Sequence, residues 1–230
     1  MVAGKGRARS SGDRRTPTNK AGRSVSSQRW LQRQFRDPFV ADAKAQGFRS
    51  RAAFKLVEID DKFGLLTPGK RVLDLGAAPG GWTQIAVARV GEAGTSAIYA
   101  VDILEMEPIG GAATAKLDID DHKSVAALRK LMREPVDVVL SDMAPPSTGH
   151  RTTDALREAA LAESGLATAI DFLRPGGAFV VKVMRNGQEA AFTAEVKKHF
   201  ETVRTFKPKA SRPDSAEIYV VATGFRTSTR

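Results

Sequence analysis

From about residue 50 onward, apolar residues recur first at helical spacing and then in short strand-like runs, and the two patterns keep alternating. Ser50 reads as an N-cap for a helix from Arg51 to about Lys62, with Ala52, Ala53, Leu56, Val57 and Ile59 as its apolar face. Thr67-Pro68-Gly69 closes that region. Strands are then predicted over Arg71–Leu75, Ala97–Val101, Ala115–Leu117, Val136–Ser141, Ala178–Met184, Thr202–Phe206 and Glu217–Ala222. Helical spacing predicts Trp82–Val90, His122–Met132, Asp154–Leu173 and Gln188–Phe200 between them. Such alternation gives an α/β fold, a seven-stranded, mainly parallel sheet covered by helices on both faces. The last two strands have no helix between them and are expected to pair antiparallel across a surface loop at 207–216. One residue breaks the pattern. Lys182 interrupts Phe179-Val180-Val181-Lys182-Val183-Met184, and an ammonium in an apolar strand is costly unless paired, deprotonated or needed.

At 230 residues, with 42% hydrophobic and 27% charged residues, the chain fits one domain, or one domain and a tail. No apolar run approaches the ~18 residues of a membrane helix. The basic N-terminus lacks the apolar stretch of a secretory signal. With no cysteine, disulfides, thiolate metal sites and a cysteine nucleophile are excluded, and a cytoplasmic protein is expected. The formal charge of +10 is unevenly placed. Residues 1–36 hold ten Lys/Arg and one Asp, whereas residues 37–230 hold 26 basic and 25 acidic residues. Residues 1–25 are also rich in Gly, Ser and Thr and nearly free of apolar residues, which predicts a disordered basic tail before a domain over 26–230. Ordered structure is expected to begin near Ser26 to Trp30, with a short helix through Val40. The tail is either an electrostatic arm for nucleic acid, whose affinity is largely phosphate neutralisation, or a solubilising or targeting extension.

The segment Asp74-Leu75-Gly76-Ala77-Ala78-Pro79-Gly80-Gly81-Trp82 joins strand to helix through a glycine-rich turn. In a doubly wound sheet, ligands bind outside the carboxyl ends of the strands. The spacing is not G-x-G-x-x-G, and Pro79 stands where a dinucleotide enzyme needs a free helix N-terminus, which argues against a dehydrogenase. Acids end the first three strands in succession, at Asp74, Asp102 and Asp118. Singly each reads as a solvated or capping residue; together they suit a nucleoside, with Asp102 placed to accept from both hydroxyls of a ribose. Lys55, Asp142, Lys182 and Glu217 are far apart in sequence, yet each falls where the alternation presents a side chain at one sheet edge. They form either a catalytic set or a buried Lys–Asp pair that only fixes strand register. His150 has no His, Cys or carboxylate at ligand spacing and reads as a loop or phosphate-contacting residue, so no metal is expected. Phe48, Arg49, Arg51 and Lys55 form a basic strip suited to an RNA backbone, or an ordinary solvated helix face.

Six stretches carry a resemblance: Ser27–Gln32 (S-Q-R-W-L-Q), Arg49–Leu56 (R-S-R-A-A-F-K-L), Asp74–Trp82 (D-L-G-A-A-P-G-G-W), Ser141–Pro145 (S-D-M-A-P), Pro175–Val183 (P-G-G-A-F-V-V-K-V) and Glu217–Gly224 (E-I-Y-V-V-A-T-G). Over roughly residues 26–225 the chain resembles the FtsJ/RrmJ-like family of S-adenosylmethionine-dependent ribose 2′-O-methyltransferases. The resemblance implies a Rossmann-like methyltransferase fold with an antiparallel last strand. It implies S-adenosylmethionine held by the backbone around Gly76, Gly80 and Trp82, with Asp102 at its ribose, Asp118 at its adenine and Asp142 near its methionine part. It also implies a Lys–Asp–Lys–Glu tetrad of Lys55, Asp142, Lys182 and Glu217. A sulfonium leaves readily, but a ribose 2′-hydroxyl is a poor nucleophile until its proton is removed. Lys182 is then the base or main orienting group, Asp142 orients it, and Lys55 and Glu217 position the nucleotide and tune the charge. Bacterial members of the family methylate a uridine of 23S ribosomal RNA, so the implied partner is large-subunit rRNA in the assembled 50S subunit, with the protein a monomer and no membrane involved. A tRNA anticodon-loop methyltransferase and an RNA-binding assembly factor with secondary methylation stay open. The chain departs from the family pattern at Pro146, where a polar residue is expected after S-D-M-A-P.

Overall fold

A computed structural model of the protein describes residues 37–91 and 98–227. The expected tail, the domain start at residue 26 and the first part of the helix ending at Val40 lie outside the described residues. The elements run α1 (Pro38–Ala45), α2 (Ala52–Phe63), β1 (Val72–Leu75), α3 (Gly81–Val90), β2 (Ile98–Asp102) and β3 (Ala112–Lys116). They continue as α4 (His122–Met132), β4 (Val136–Ser141), α5 (Arg151–Phe172), β5 (Leu173–Met184), α6 (Glu189–His199), β6 (Phe200–Phe206) and β7 (Glu217–Phe225). The sheet has seven strands in the order β3-β2-β1-β4-β5-β7-β6. All pairings are parallel except those of β7, which runs antiparallel to β5 and β6. The reversal of order at β1/β4 puts a ligand crevice outside the carboxyl ends of the central strands.

Alternation of side chains along each strand divides the core in two. Leu73, Leu75, Val139, Phe179, Val181 and Val220 face α4, α5 and α6, where Leu128, Leu166, Phe172 and Val196 cover them. Val72, Val138, Leu140, Val180 and Val221 face α2 and α3, where Leu56, Ile59, Ile85 and Val90 cover them. By the same alternation, Lys182 follows Val180 onto the α2/α3 side. That is how the charge comes to lie under a helix that carries another lysine.

Several boundaries differ from the sequence pattern by a few residues, among them the start of β3 at Ala112 and of α5 at Arg151, and two have a visible cause. β5 begins at Leu173 rather than Ala178, because Leu173 pairs with Val136 before Pro175-Gly176-Gly177 and the ladder resumes at Val138–Ala178 across a register shift. Ser50 is not a side-chain cap: α2 starts at Ala52 after Arg51, with no side-chain hydrogen bond at the cap. The Ser50 hydroxyl instead lies against Gly81, where a Cβ would come within 2.4 Å of it. A side chain at residue 81 would have to displace that hydroxyl, so glycine lets α3 start against the chain before α2.

Candidate active site

Four elements deliver Lys55, Asp142, Lys182 and Glu217 to one place. Ser141 pairs with Val181 across β4–β5, so Asp142, one residue on, is level with Lys182. Across the antiparallel β5–β7 pair, Met184 lies opposite Glu217 and Lys182 opposite Tyr219. Lys55 comes down from α2, on which it is buried. The Lys55 ammonium is 2.8 Å from Glu217 Oε1 and 4.0 Å from Asp142 Oδ2. The Lys182 ammonium is 3.8 Å from Asp142 Oδ1 and donates to the Asp142 carbonyl at 3.4 Å. Their side chains are between 8% and 16% exposed, which strengthens each charge interaction without sealing the group from solvent.

Tyr219, absent from the expected set, completes it. Its hydroxyl accepts from Lys55 Nζ at 3.1 Å and donates to Asp142 Oδ1 at 2.8 Å. Its only sequence signal was position: two residues after Glu217 on a strand lies on the same face. Burial, then the charges of Asp142 and Glu217, push its phenol well above the usual range, so it stays a donor. Burial raises the Glu217 carboxyl, but the charge and hydrogen bond of Lys55 outweigh it and leave the group below its ordinary value. A further carboxylate, Glu158 of α5, was also not expected. Burial raises it above its ordinary value against the pull of Lys182, while Glu217, Asp142 and Asp154 add repulsion.

Beside the tetrad lies a cavity of about 590 Å³ lined by Gly76, Asp102, Asp118, Asp142, Met143 and Pro146, among others. Asp102 ends β2, and its carboxylate accepts from Ala78 N at 2.9 Å and Leu104 N at 2.8 Å. Asp118 stands two residues beyond the end of β3 rather than at it, and accepts from Asp120 N at 3.0 Å. Gly76 has φ +71°, and a Cβ there would lie 2.6 Å from Met143 Cγ, so the turn after β1 can pass the segment after β4 only as glycine. Gly80 and Trp82 do not line this cavity. The Trp82 indole is core: it donates to Ala52 O at 2.8 Å and its ring lies 5.6 Å from that of Tyr219. Beneath the site, Asp74 is fully buried and accepts from Thr83 Oγ1 at 2.6 Å. Burial, with the nearby charges of Asp142 and Asp102, pushes its carboxyl up to about 7.

The basic strip is not a free phosphate-binding face. The Arg49 guanidinium donates to the carbonyls of Pro79 (3.3 Å), Glu107 (2.5 Å) and Pro108 (2.8 Å), tying the β2–β3 loop to the glycine turn. Arg51 donates to the Ala210 carbonyl and covers the Phe39 ring at 5.6 Å. Both charges clasp the fold, and Lys55 belongs to the tetrad. His150 stays in the exposed loop before α5. Among the described residues, no group of three or more His, Asp or Glu could hold a metal ion, and no helix is long and apolar enough to cross a membrane.

Comparison with known proteins shows the family of the chain. A protein called ribosomal RNA large subunit methyltransferase E from Granulibacter bethesdensis is 54% identical over 204 residues, covering 89% of this chain and 87% of its own. A protein of the same name from Bradyrhizobium diazoefficiens is 54% identical over 205 residues, covering 89% and 90%. A solved structure described as a ribosomal RNA methyltransferase from Plasmodium falciparum superposes with a TM-score of 0.70 at 30% identity, covering 77% of this chain and 98% of that one. Residues 48–225 match the model of the FtsJ-like methyltransferases, and the chain belongs to that family.

Proposed function

We propose that the protein transfers the methyl group of S-adenosylmethionine to the ribose 2′-oxygen of a uridine in 23S ribosomal RNA, acting as a cytoplasmic monomer on the assembled 50S subunit. The observation that carries this reading is the meeting of Lys55, Asp142, Lys182 and Glu217 beside a cavity that Asp142 itself lines.

The cofactor fits the lining of that cavity. A carboxylate offers about four acceptor sites, and the two backbone N–H groups on Asp102 leave acceptor capacity for both hydroxyls of a ribose. Asp118 would lie at the adenine, the backbone near Gly76 and Ala78 along the rest, and Asp142 at the methionine part. When bound, the cofactor supplies an electrophilic methyl group on a positively charged sulfur.

Lys182 removes or orients the proton of the 2′-hydroxyl at its Nζ, the task a general base performs within hydrogen-bond reach of its target. Asp142 holds that nitrogen in place and is itself held by the Tyr219 hydroxyl. Lys55, fixed by Glu217, supplies a second cation at the Asp142 carboxylate and positions the nucleotide.

The test is transfer of labelled methyl from S-adenosylmethionine to large ribosomal subunits, naked rRNA and tRNA. Transfer to large subunits at a ribose 2′-oxygen supports the reading. Transfer confined to tRNA moves the enzyme to the tRNA branch, and no transfer to any RNA leaves an RNA-binding assembly factor.

A further inference from the structure

We infer that a second cavity, of about 600 Å³, on the β5–β7 side of Asp142 holds the target nucleotide and reads its base through Glu158 and Asn186. This rests on the function proposed above. In the sheet, β4 lies between β1 and β5. The cofactor cavity occupies the β1–β2 side of the β4 end, being lined by Gly76 and Asp102. The second cavity occupies the other side, being lined by Met184, Arg185 and Asn186 after β5 and by Ala216 before β7. The two meet at Pro145. In-line displacement places the entering oxygen opposite the leaving sulfur, so the nucleotide enters from the side away from the cofactor. Asp142 lines the first cavity, and Lys182 lies on β5 two residues before Met184, which lines the second. The volume falls within the ~300–1,000 Å³ usual for small-molecule sites.

The lining suits a splayed-out pyrimidine. Sequence-specific RNA recognition targets unstacked nucleotides, whose Watson–Crick edge is then read by side chains. Leu156, 56% exposed, and Met184 offer apolar surface to a base face. Asp154 is already engaged by Ser147, Thr148 and Gly149. Glu158 is different: half-buried, and among the described residues no hydrogen bond or ion pair engages its carboxylate. Asn186 Oδ1 accepts from Gln188 N at 3.1 Å, which leaves its amide N–H₂ as a donor. Uracil presents one N–H between two carbonyls, so a carboxylate acceptor beside an amide donor matches that edge. Cytosine presents a bare ring nitrogen at the same place and would face the carboxylate lone pairs. Arg185 also lines the cavity, where its positive charge suits an adjoining phosphate.

The experiment maps the methylated position on large subunits with the full chain, then compares kcat/KM on subunits carrying uridine or cytidine there. The wild type is expected to favour uridine strongly. Glu158→Ala is expected to lower the uridine-to-cytidine ratio about tenfold or more, with S-adenosylmethionine binding unchanged. Asn186→Ala, a change in an exposed loop, is expected to lower it in the same direction. An equal loss on both substrates, or an unchanged ratio in both variants, overturns the base-reading pocket alone. A wild type that methylates no rRNA overturns the proposed function, and the pocket with it.

Discussion

Tyr219 joins Lys55 to Asp142: one hydroxyl accepts from the lysine at 3.1 Å and donates to the carboxylate at 2.8 Å. It also lies opposite Lys182 in the β5–β7 ladder. Removing that oxygen leaves a buried donor and acceptor each short of a partner. Tyr219→Phe should therefore lower stability by about 1–3 kcal/mol, read by denaturant unfolding. It should also slow single-turnover methyl transfer about tenfold, or ~1.4 kcal/mol of lost positioning. A wild-type rate would show that Tyr219 only packs.

Lys182→Ala removes the group assigned to the hydroxyl proton. General acid–base catalysis contributes roughly 10²–10⁴-fold, so single-turnover transfer should fall by that much or more. Calorimetric binding of S-adenosylmethionine should persist. Wild-type-like turnover would sink the assignment.

Asp102→Ala should show the opposite split. The cofactor dissociation constant should rise about tenfold or more, each tenfold being ~1.4 kcal/mol. The rate at saturating cofactor should stay near wild type. A large fall in that saturated rate with unchanged binding would place Asp102 in the chemistry instead.

Asp74 gives a pH dependence of defined sign. Its carboxyl moves from 3.8 to about 7 on folding, chiefly through burial. Between about pH 4 and 7 the native state thus binds a proton that the unfolded chain has released, and stability falls as pH rises through that window. A shift from 3.8 to about 7 corresponds to roughly 4 kcal/mol at most. Asp74→Asn keeps an acceptor for Thr83 and should flatten stability across that window, as read by unfolding at several pH values. An unchanged slope would show that Asp74 ionises freely.

Deleting residues 1–25 removes much of the positive excess of the chain. Each phosphate no longer neutralised should lower the slope of log affinity against log salt by about 0.7–0.9. Single-turnover chemistry should not change. Unchanged RNA binding would make the segment a solubilising or targeting extension.

What could be read locally was read well. α4 and β4 occupy the expected residues, because Asp121 caps the helix by accepting from Ser124 N and β4 is an uninterrupted buried run. What depended on distant partners was not. The first residues of β5 look like a Pro-Gly-Gly turn until Val136 is there to pair with Leu173. Arg49 and Arg51 look like solvated charges until the carbonyls of Pro79, Glu107, Pro108 and Ala210 are brought to them. The motif alone does not place the Trp82 side chain, which is core against Ala52 and Tyr219.

By itself, then, the sequence determined the alternation, the face on which each strand residue lies, and the oddity of Lys182 among apolar neighbours. Those follow from periods of two and 3.6, which are properties of a few consecutive residues. Only the tertiary structure decided that Tyr219 bridges Lys55 to Asp142, that the Glu158 carboxyl feels the charge of Lys182, and that burial raises the Asp74 carboxyl to about 7. Those depend on strand register and on burial, and both arise only when residues from separate elements, as far apart as Lys55 and Tyr219, are packed against one another.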